Sequence, residues 1–228
     1  MRRVLGSDLV AIYLGGSYAT GDFVPGASDY DLLVVTAREP TAEQVAQLRA
    51  YHAKLARRDP ESLLLEGDYD PIDALVPEGT TRPVWWFREG TLRGPEFMLS
   101  ADNIMNMRDV GVTVLGPTAC ELLPPVTHDQ VRAAVREMLA EEPDRSSERA
   151  AAREVLGIAR SLAALESGAP TSNAAGLRWA VEHLDPKWHD LLRHAMAVRS
   201  GKVNANGDRV RRGLDELRAS LGLNEASR

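Results

Sequence analysis

The sequence predicts an α/β domain followed by an all-α helical domain, and three observations carry that prediction. In the first half, short apolar runs rich in β-branched residues alternate with a helical pattern. In the second half, apolar residues recur at helical spacing between capping residues. Between the halves, Pro124-Pro125 interrupts both patterns and assigns residues 1–123 to the first domain and 124–228 to the second. A chain of 228 residues is long enough for two modest cores.

Taken in order, Val10-Ala11-Ile12-Tyr13-Leu14 is a buried strand ended by Gly15-Gly16. Residues 17–29 are polar and punctuated by Gly21, Pro25 and Gly26, hence a loop or short helix with a turn. Asp31-Leu32-Leu33-Val34-Val35 is the second strand. Thr41-x-x-Gln44 forms a capping box that opens a helix carrying Val45, Leu48 and Leu55 on one face, and Asp59-Pro60 ends it. Leu63-Leu64-Leu65-Glu66 reads as a third strand and Val84-Trp85-Trp86-Phe87 as a fourth, with Ile72 to Val76 as a connector. Beyond Pro125, a second capping box, Thr127-x-x-Gln130, starts a helix that stops before Pro143. Further helices follow over 147–167, with Gly168 as C-cap, over 172–184, from Asp185-Pro186 to near Gly201, and over 208–221.

Composition narrows the function. The chain has 27 Lys+Arg against 33 Asp+Glu, a net charge of −6. Up to Cys120 there are 11 basic and 17 acidic residues, and beyond it 16 of each, so the whole acidic excess belongs to the first half. Such a surface disfavours a nucleic-acid backbone and attracts cations. No apolar run approaches the roughly 18 residues of a membrane span, and Asp8 interrupts any signal-peptide core, so a cytoplasmic protein is expected. The single cysteine, Cys120, excludes a disulfide framework and reads as a small buried hydrophobe. The five histidines lack the paired spacing of a metal site.

One constellation carries chemistry. Glycines directly after a strand let backbone N–H groups approach a polyphosphate, and the Ser17 hydroxyl adds a donor, so Gly15, Gly16 and Ser17 are candidate nucleotide-binding residues. Asp29 and Asp31, two apart at the start of a strand, project from one face. Two adjacent carboxylates call for a cation, and their hard oxygens suit Mg²⁺, which is usually held by one or two carboxylates plus substrate phosphates.

Gly15-Gly16-Ser17, eleven residues, then Asp29-x-Asp31 and an apolar strand resembles the signature of the polymerase-β-like nucleotidyltransferases. Within that superfamily the chain resembles the streptomycin/spectinomycin-type aminoglycoside adenylyltransferases. Leu65-Glu66-Gly67 is similar to the segment holding the family's third carboxylate, and residues 160–201 are loosely similar to its helical C-terminal domain, including Gly168 and Trp179-Ala180. The resemblance implies a mixed sheet in the first domain, a helical bundle in the second, and Mg²⁺-dependent transfer of AMP from ATP to a hydroxyl of a small cationic acceptor. It implies that Asp29 and Asp31 hold the metal (two ions) and that Glu66 is the catalytic base. A monomer without nucleic-acid or membrane partners is expected.

Glu66 has neighbours that could serve instead: Asp68, Asp70 and Asp73 follow within seven residues. Glu66 is preferred because it ends an apolar run, and Glu66, Asp68 and Asp70 together would make an acidic cleft wall for a cationic acceptor. Trp85 and Trp86 are candidate acceptor contacts by stacking, with a packing role as the plainer reading. The chain departs from the group at two positions: Leu162 replaces an aromatic residue of the drug-binding cleft, and Asn173 replaces a lysine. Both leave the chemistry intact and the identity of the acceptor open. Two alternatives remain: a transferase acting on a protein, against which the helical half argues, and a non-catalytic nucleotide-binding member, against which the intact Asp29, Asp31 and Glu66 argue.

Overall fold

The computed structural model describes residues 1–26, 28–205 and 207–223. It divides into two compact units, Met1–Gln130 and Val131–Arg228. The division therefore follows Gln130 rather than Leu123, and Val126, beyond the expected boundary, still packs against the core of the first unit.

The first unit opens with a short helix, α1 (Arg2–Leu5), then β1 (Leu9–Leu14), the single-turn α2 (Gly16–Ala19), β2 (Tyr30–Thr36) and α3 (Ala42–Arg58). After a 3₁₀ turn come β3 (Leu65–Pro71) and a small hairpin of β4 (Leu75–Val76) and β5 (Gly79–Thr80). The unit continues with β6 (Val84–Arg88), β7 (Thr91–Glu96), α4 (Ala101–Val110), β8 (Val112–Leu115) and α5 (Ala119–Leu122). Six strands form one mixed sheet in the order β7-β6-β3-β2-β1-β8, with β2 and β3 parallel and the other neighbours antiparallel. The parallel pair needs a crossover, and α3 supplies it.

Alternation along the strands gives the sheet two faces. One carries Ala11, Tyr13, Leu33 and Val35, packed on Ile104 and Met107 of α4 and on Ala119 and Leu123. The other carries Val34, Tyr69, Phe87 and Leu92, packed on Leu5 of α1 and on Val45 and Leu48 of α3. The capping box of α3 forms as the sequence predicts: Gln44 N–H donates to Thr41 Oγ1 (3.2 Å) and Thr41 N–H to Gln44 Oε1 (2.9 Å). His52 rather than Leu55 completes the buried stripe of α3, its ring stacked on Phe87 at 4.3 Å and its Nε2 2.7 Å from the Tyr69 hydroxyl. Burial, and secondarily the N-terminal charge, pushes His52 down to about 4, so it is neutral in the core.

Two further expectations change. The apolar run before Glu66 is not strand: residues Pro60–Leu64 form a 3₁₀ turn with Leu63 exposed, and β3 runs instead from Leu65 through the acidic stretch to Pro71. Strand β7, helix α4 and edge strand β8 occupy residues 91–115, a stretch for which the sequence predicted no element. Cys120 is exposed on the first turn of α5, its Sγ 3.3 Å from Thr118 Oγ1, because that turn faces Ala119 inward.

The second unit is helical: most of α6 (His128–Ala140), then α7 (Glu148–Ser167), α8 (Asn173–His183), α9 (His189–Arg199) and α10 (Arg209–Ser220). Central helix α7 packs against α8, α9 and α10. Its alanines let neighbours approach, and Gly176 of α8 lies so near that a Cβ there would stand 2.7 Å from the Arg160 Cα. Gly168 ends α7 in the left-handed conformation, as predicted. Helix α10 has no side-chain cap of its own; Glu148, buried in the first turn of α7, accepts from the N–H groups of Val210 (2.7 Å) and Arg211 (3.3 Å) instead.

Candidate active site

The parallel pairing of β2 with β3 sets Asp31 opposite Glu66, Leu33 opposite Asp68 and Val35 opposite Asp70. Partners in register share a face, so four carboxylates line one side of the sheet. Asp29 extends the row beyond the start of β2 and is exposed. From there the row descends into the protein: Asp31 and Glu66 are half-buried, Asp68 is 9% exposed and Asp70 fully enclosed. The register is locked from the other face, where a Cβ at Gly67 would fall 2.0 Å from the Leu32 carbonyl oxygen.

The Gly15-Gly16-Ser17 turn leaves β1 directly against this row. Gly15 N–H donates to the Asp31 carbonyl at 2.8 Å. Gly16 opens α2 at φ +55°, a conformation costly for residues with a side chain, and a Cβ there would stand 1.7 Å from Asp31 Oδ2. On the opposite side, a Cβ at Gly15 would meet Met107 of α4 at 2.6 Å. Close approach thus requires both glycines, and backbone angle requires the second. The loop from Ser17 to Asp29 is held by a ring cluster, with Phe23 centred 5.5 Å from Tyr18 and 4.6 Å from Tyr30. Ser28 pins its end, exchanging hydrogen bonds with the Val24 backbone at 2.9 and 3.0 Å.

Electrostatically the row is overcharged. Burial, and then the charges of Glu66 and Asp31, push Asp68 up to about 7. Burial, reinforced by Asp68, raises Asp70 well above the carboxylate range, and among the described residues neither of its oxygens finds a hydrogen-bond partner. Asp70 is therefore enclosed in the core and not part of a cleft wall, which corrects that expectation: β3 carries it inward. Arg88, opposite Glu66 on β6, forms an ion pair with it. Sequence reasoning missed Arg88, whose signal was its place one residue after the Val84–Phe87 run.

The two tryptophans part company. Trp86 shares the carboxylate face as the register partner of Asp68, with Arg93 over its ring at 5.3 Å, but it is 9% exposed. Trp85 points to the opposite face, where Arg49 of α3 lies 5.4 Å from its ring centre. The structure does not bring Trp85 to the carboxylates.

Among the described residues, no three His, Cys, Asp or Glu side chains converge to hold a metal by themselves. The donor set nevertheless fits a divalent cation completed by substrate. Asp29 and Asp31 offer hard oxygen ligands at an accessible strand end, the kind of donor that suits a divalent cation shared with substrate phosphates.

Residues 2–80 match the family described as "Nucleotidyltransferase domain", and residues 121–221 match that described as "Aminoglycoside adenylyltransferase, C-terminal domain". With a glycine turn pressed on a carboxylate row, the chain is a nucleotidyltransferase. As an enzyme it resembles the aminoglycoside adenylyltransferases, in both its halves. The fold is also similar to a crystal structure of spectinomycin adenyltransferase AAD(9) from Enterococcus faecialis with ATP and spectinomycin. That match has a TM-score of 0.69 at 16% identity and covers 100% of this chain and 95% of the other. No curated protein matches the chain. No helix among the described residues is long and apolar enough to cross a membrane.

Proposed function

We propose that the protein transfers AMP from ATP to a hydroxyl of a small cationic acceptor of the aminoglycoside class. The observation that carries this reading is the level pairing of Asp31 with Glu66 beside a Gly16 turn that touches Asp31. In this reading the backbone of Gly15 and Gly16 and the Ser17 hydroxyl receive the triphosphate, and the closeness of Gly16 to Asp31 brings phosphate and carboxylates together. Asp29 and Asp31 would hold Mg²⁺, which when bound supplies neutralisation of phosphate charge. Glu66, held by Arg88, accepts the proton of the acceptor hydroxyl. The hydroxyl oxygen then bonds to the α-phosphorus as the bond to pyrophosphate breaks. Positioning and charge neutralisation supply most of the rate in such chemistry.

The acidic strand end suits a polycation. The family matches of both halves and the ATP and spectinomycin of the similar structure support the choice of nucleotide and acceptor class. The test is incubation with Mg²⁺, labelled ATP and a panel of aminoglycosides and spectinomycin, followed by mass spectrometry. An acceptor heavier by one AMP, with pyrophosphate released, is the expected result. Bound ATP with no product from any panel member overturns the acceptor class. Equal transfer from GTP or CTP overturns the choice of ATP.

A further inference from the structure

Behind the sheet, on the face away from the carboxylates, α1 and α3 bound a cleft of about 620 Å³. Tyr51, Lys54, Leu55 and Arg58 recur at i, i+3, i+4 and i+7 and so share one side of α3, while Arg2 and Arg3 line the cleft from α1. Four of the eleven basic residues that precede Cys120 thus gather at one concavity. Among the described residues none of the four is in an ion pair. The cleft also contains Asp59, whose carboxylate already accepts the Glu61 N–H at 3.1 Å.

In a domain with 17 acids against 11 bases, cations left without acids and drawn together repel one another for no gain in folding. The C-terminal end of α3 favours Arg58 through the helix dipole, but that accounts for none of the other three. The volume lies within the roughly 300–1,000 Å³ of small-molecule sites. Guanidinium forks match phosphate oxygens in pairs. Between the charges lie half-buried Tyr51 and Leu55, a surface for a flat or apolar body rather than for phosphate alone.

We propose that this cleft is a second anion site that binds a small molecule of the nucleoside polyphosphate class, separate from the catalytic carboxylates. It does not depend on the proposed reaction. The polyphosphate lies across Arg2, Arg3, Lys54 and Arg58, and the flat group lies on Tyr51.

The test titrates the full chain, without divalent cations and at low salt, with inorganic tripolyphosphate and with ADP. Binding is expected to persist in Asp31→Asn and to weaken as salt rises. It should fall about tenfold or more in Lys54→Gln/Arg58→Gln, which removes two uncompensated charges from the anion's contact. Both side chains are exposed, so the thermal midpoint should stay near the parent's, and Arg3→Gln on the facing wall gives an independent measure. Tyr51→Ala should weaken ADP more than tripolyphosphate. Undiminished binding in the charge variants, or loss in Asp31→Asn instead, overturns the site. So does retention on phosphatidylserine vesicles without affinity for soluble polyphosphate, which would make the face a membrane contact. An equal effect of Tyr51→Ala on both probes overturns the nucleoside part.

Discussion

Asp31 and Glu66 leave the same face of the sheet at the same height, as register partners on the parallel strands β2 and β3. Neighbouring strands lie about 4.8 Å apart, so in the proposed reaction the metal-holding carboxylate and the proton acceptor would stand side by side. The carboxylate row, the Gly16 contact and the Glu66–Arg88 pair all depend on that arrangement.

Replacing the charge at Asp31 tests its role directly. Asp31→Asn keeps the shape of the side chain and relieves the repulsion that raises Asp68, so the fold should hold or gain slightly. Nucleotidyl transfer is expected to fall by about 10²–10³ or more, the scale of losing one preorganised electrostatic group. Pyrophosphate release and a thermal melt check both halves of this expectation. Full activity would remove Asp31 from the metal site.

Gly16→Ala should act on the same place through sterics. Its Cβ would collide with Asp31 Oδ2 at 1.7 Å and the backbone is at φ +55°, so the turn must move. A stability loss of about 1–2 kcal/mol is expected from the left-handed angle alone, with transfer falling more steeply than the melt implies. Gly21→Ala is the contrast: it shares a positive φ, but no atom lies within 4 Å of the place its methyl group would take, so it should cost stability and spare the chemistry.

Asp68 makes stability depend on pH in a stated direction. Its folded-state value is raised to about 7, so the native protein holds the proton more tightly than the unfolded chain. This contribution is fully present below about pH 4 and is lost as pH rises through about 7, at up to about 1.4 kcal/mol per pH unit. Asp68→Asn removes it. Denaturant titrations from pH 4 to 8 should show the variant gaining on the parent as pH rises; parallel curves would refute the shift. Mg²⁺ should raise the parent's melting temperature more at pH 8 than at pH 5.

In the second unit, Glu148 substitutes for the missing cap of α10. Glu148→Ala leaves the Val210 and Arg211 N–H groups without their acceptor and should cost about 2–4 kcal/mol. Glu148→Gln, which keeps one acceptor oxygen, should lose less. Hydrogen exchange at Val210 and Arg211 would locate the loss.

Much of this was legible in the sequence where one physical signal dominated. The capping boxes at Thr41 and Thr127, the Gly168 terminus and strands β1 and β2 are local features, and each forms as read. Strand β3 escapes such a reading because apolar continuity is a poor guide where one face of a strand is acidic: Glu66, Asp68 and Asp70 alternate with Leu65, Gly67 and Tyr69, and the true period of two is hidden behind Leu63-Leu64. Arg88 and the inward position of Asp70 follow from pairing across strands far apart in the chain, which no local pattern encodes. Trp85 and Trp86 show the same limit, since adjacent strand residues must part to opposite faces.

The β2–β3 ladder has a consequence for how such a protein can change over time. The distance between Asp31 and Glu66 belongs to backbone pairing and not to the peptide that joins them, so the exposed turns on either side of α3 can lengthen, shorten or diverge without retuning the reaction. A slip of one residue is the exception, since it would turn Glu66 to the far face. The missing side chain at Gly67, flush against the Leu32 carbonyl, penalises that slip. Chemistry is in this sense insulated from drift, while the surfaces around it, including the basic cleft behind α3, stay open to selection.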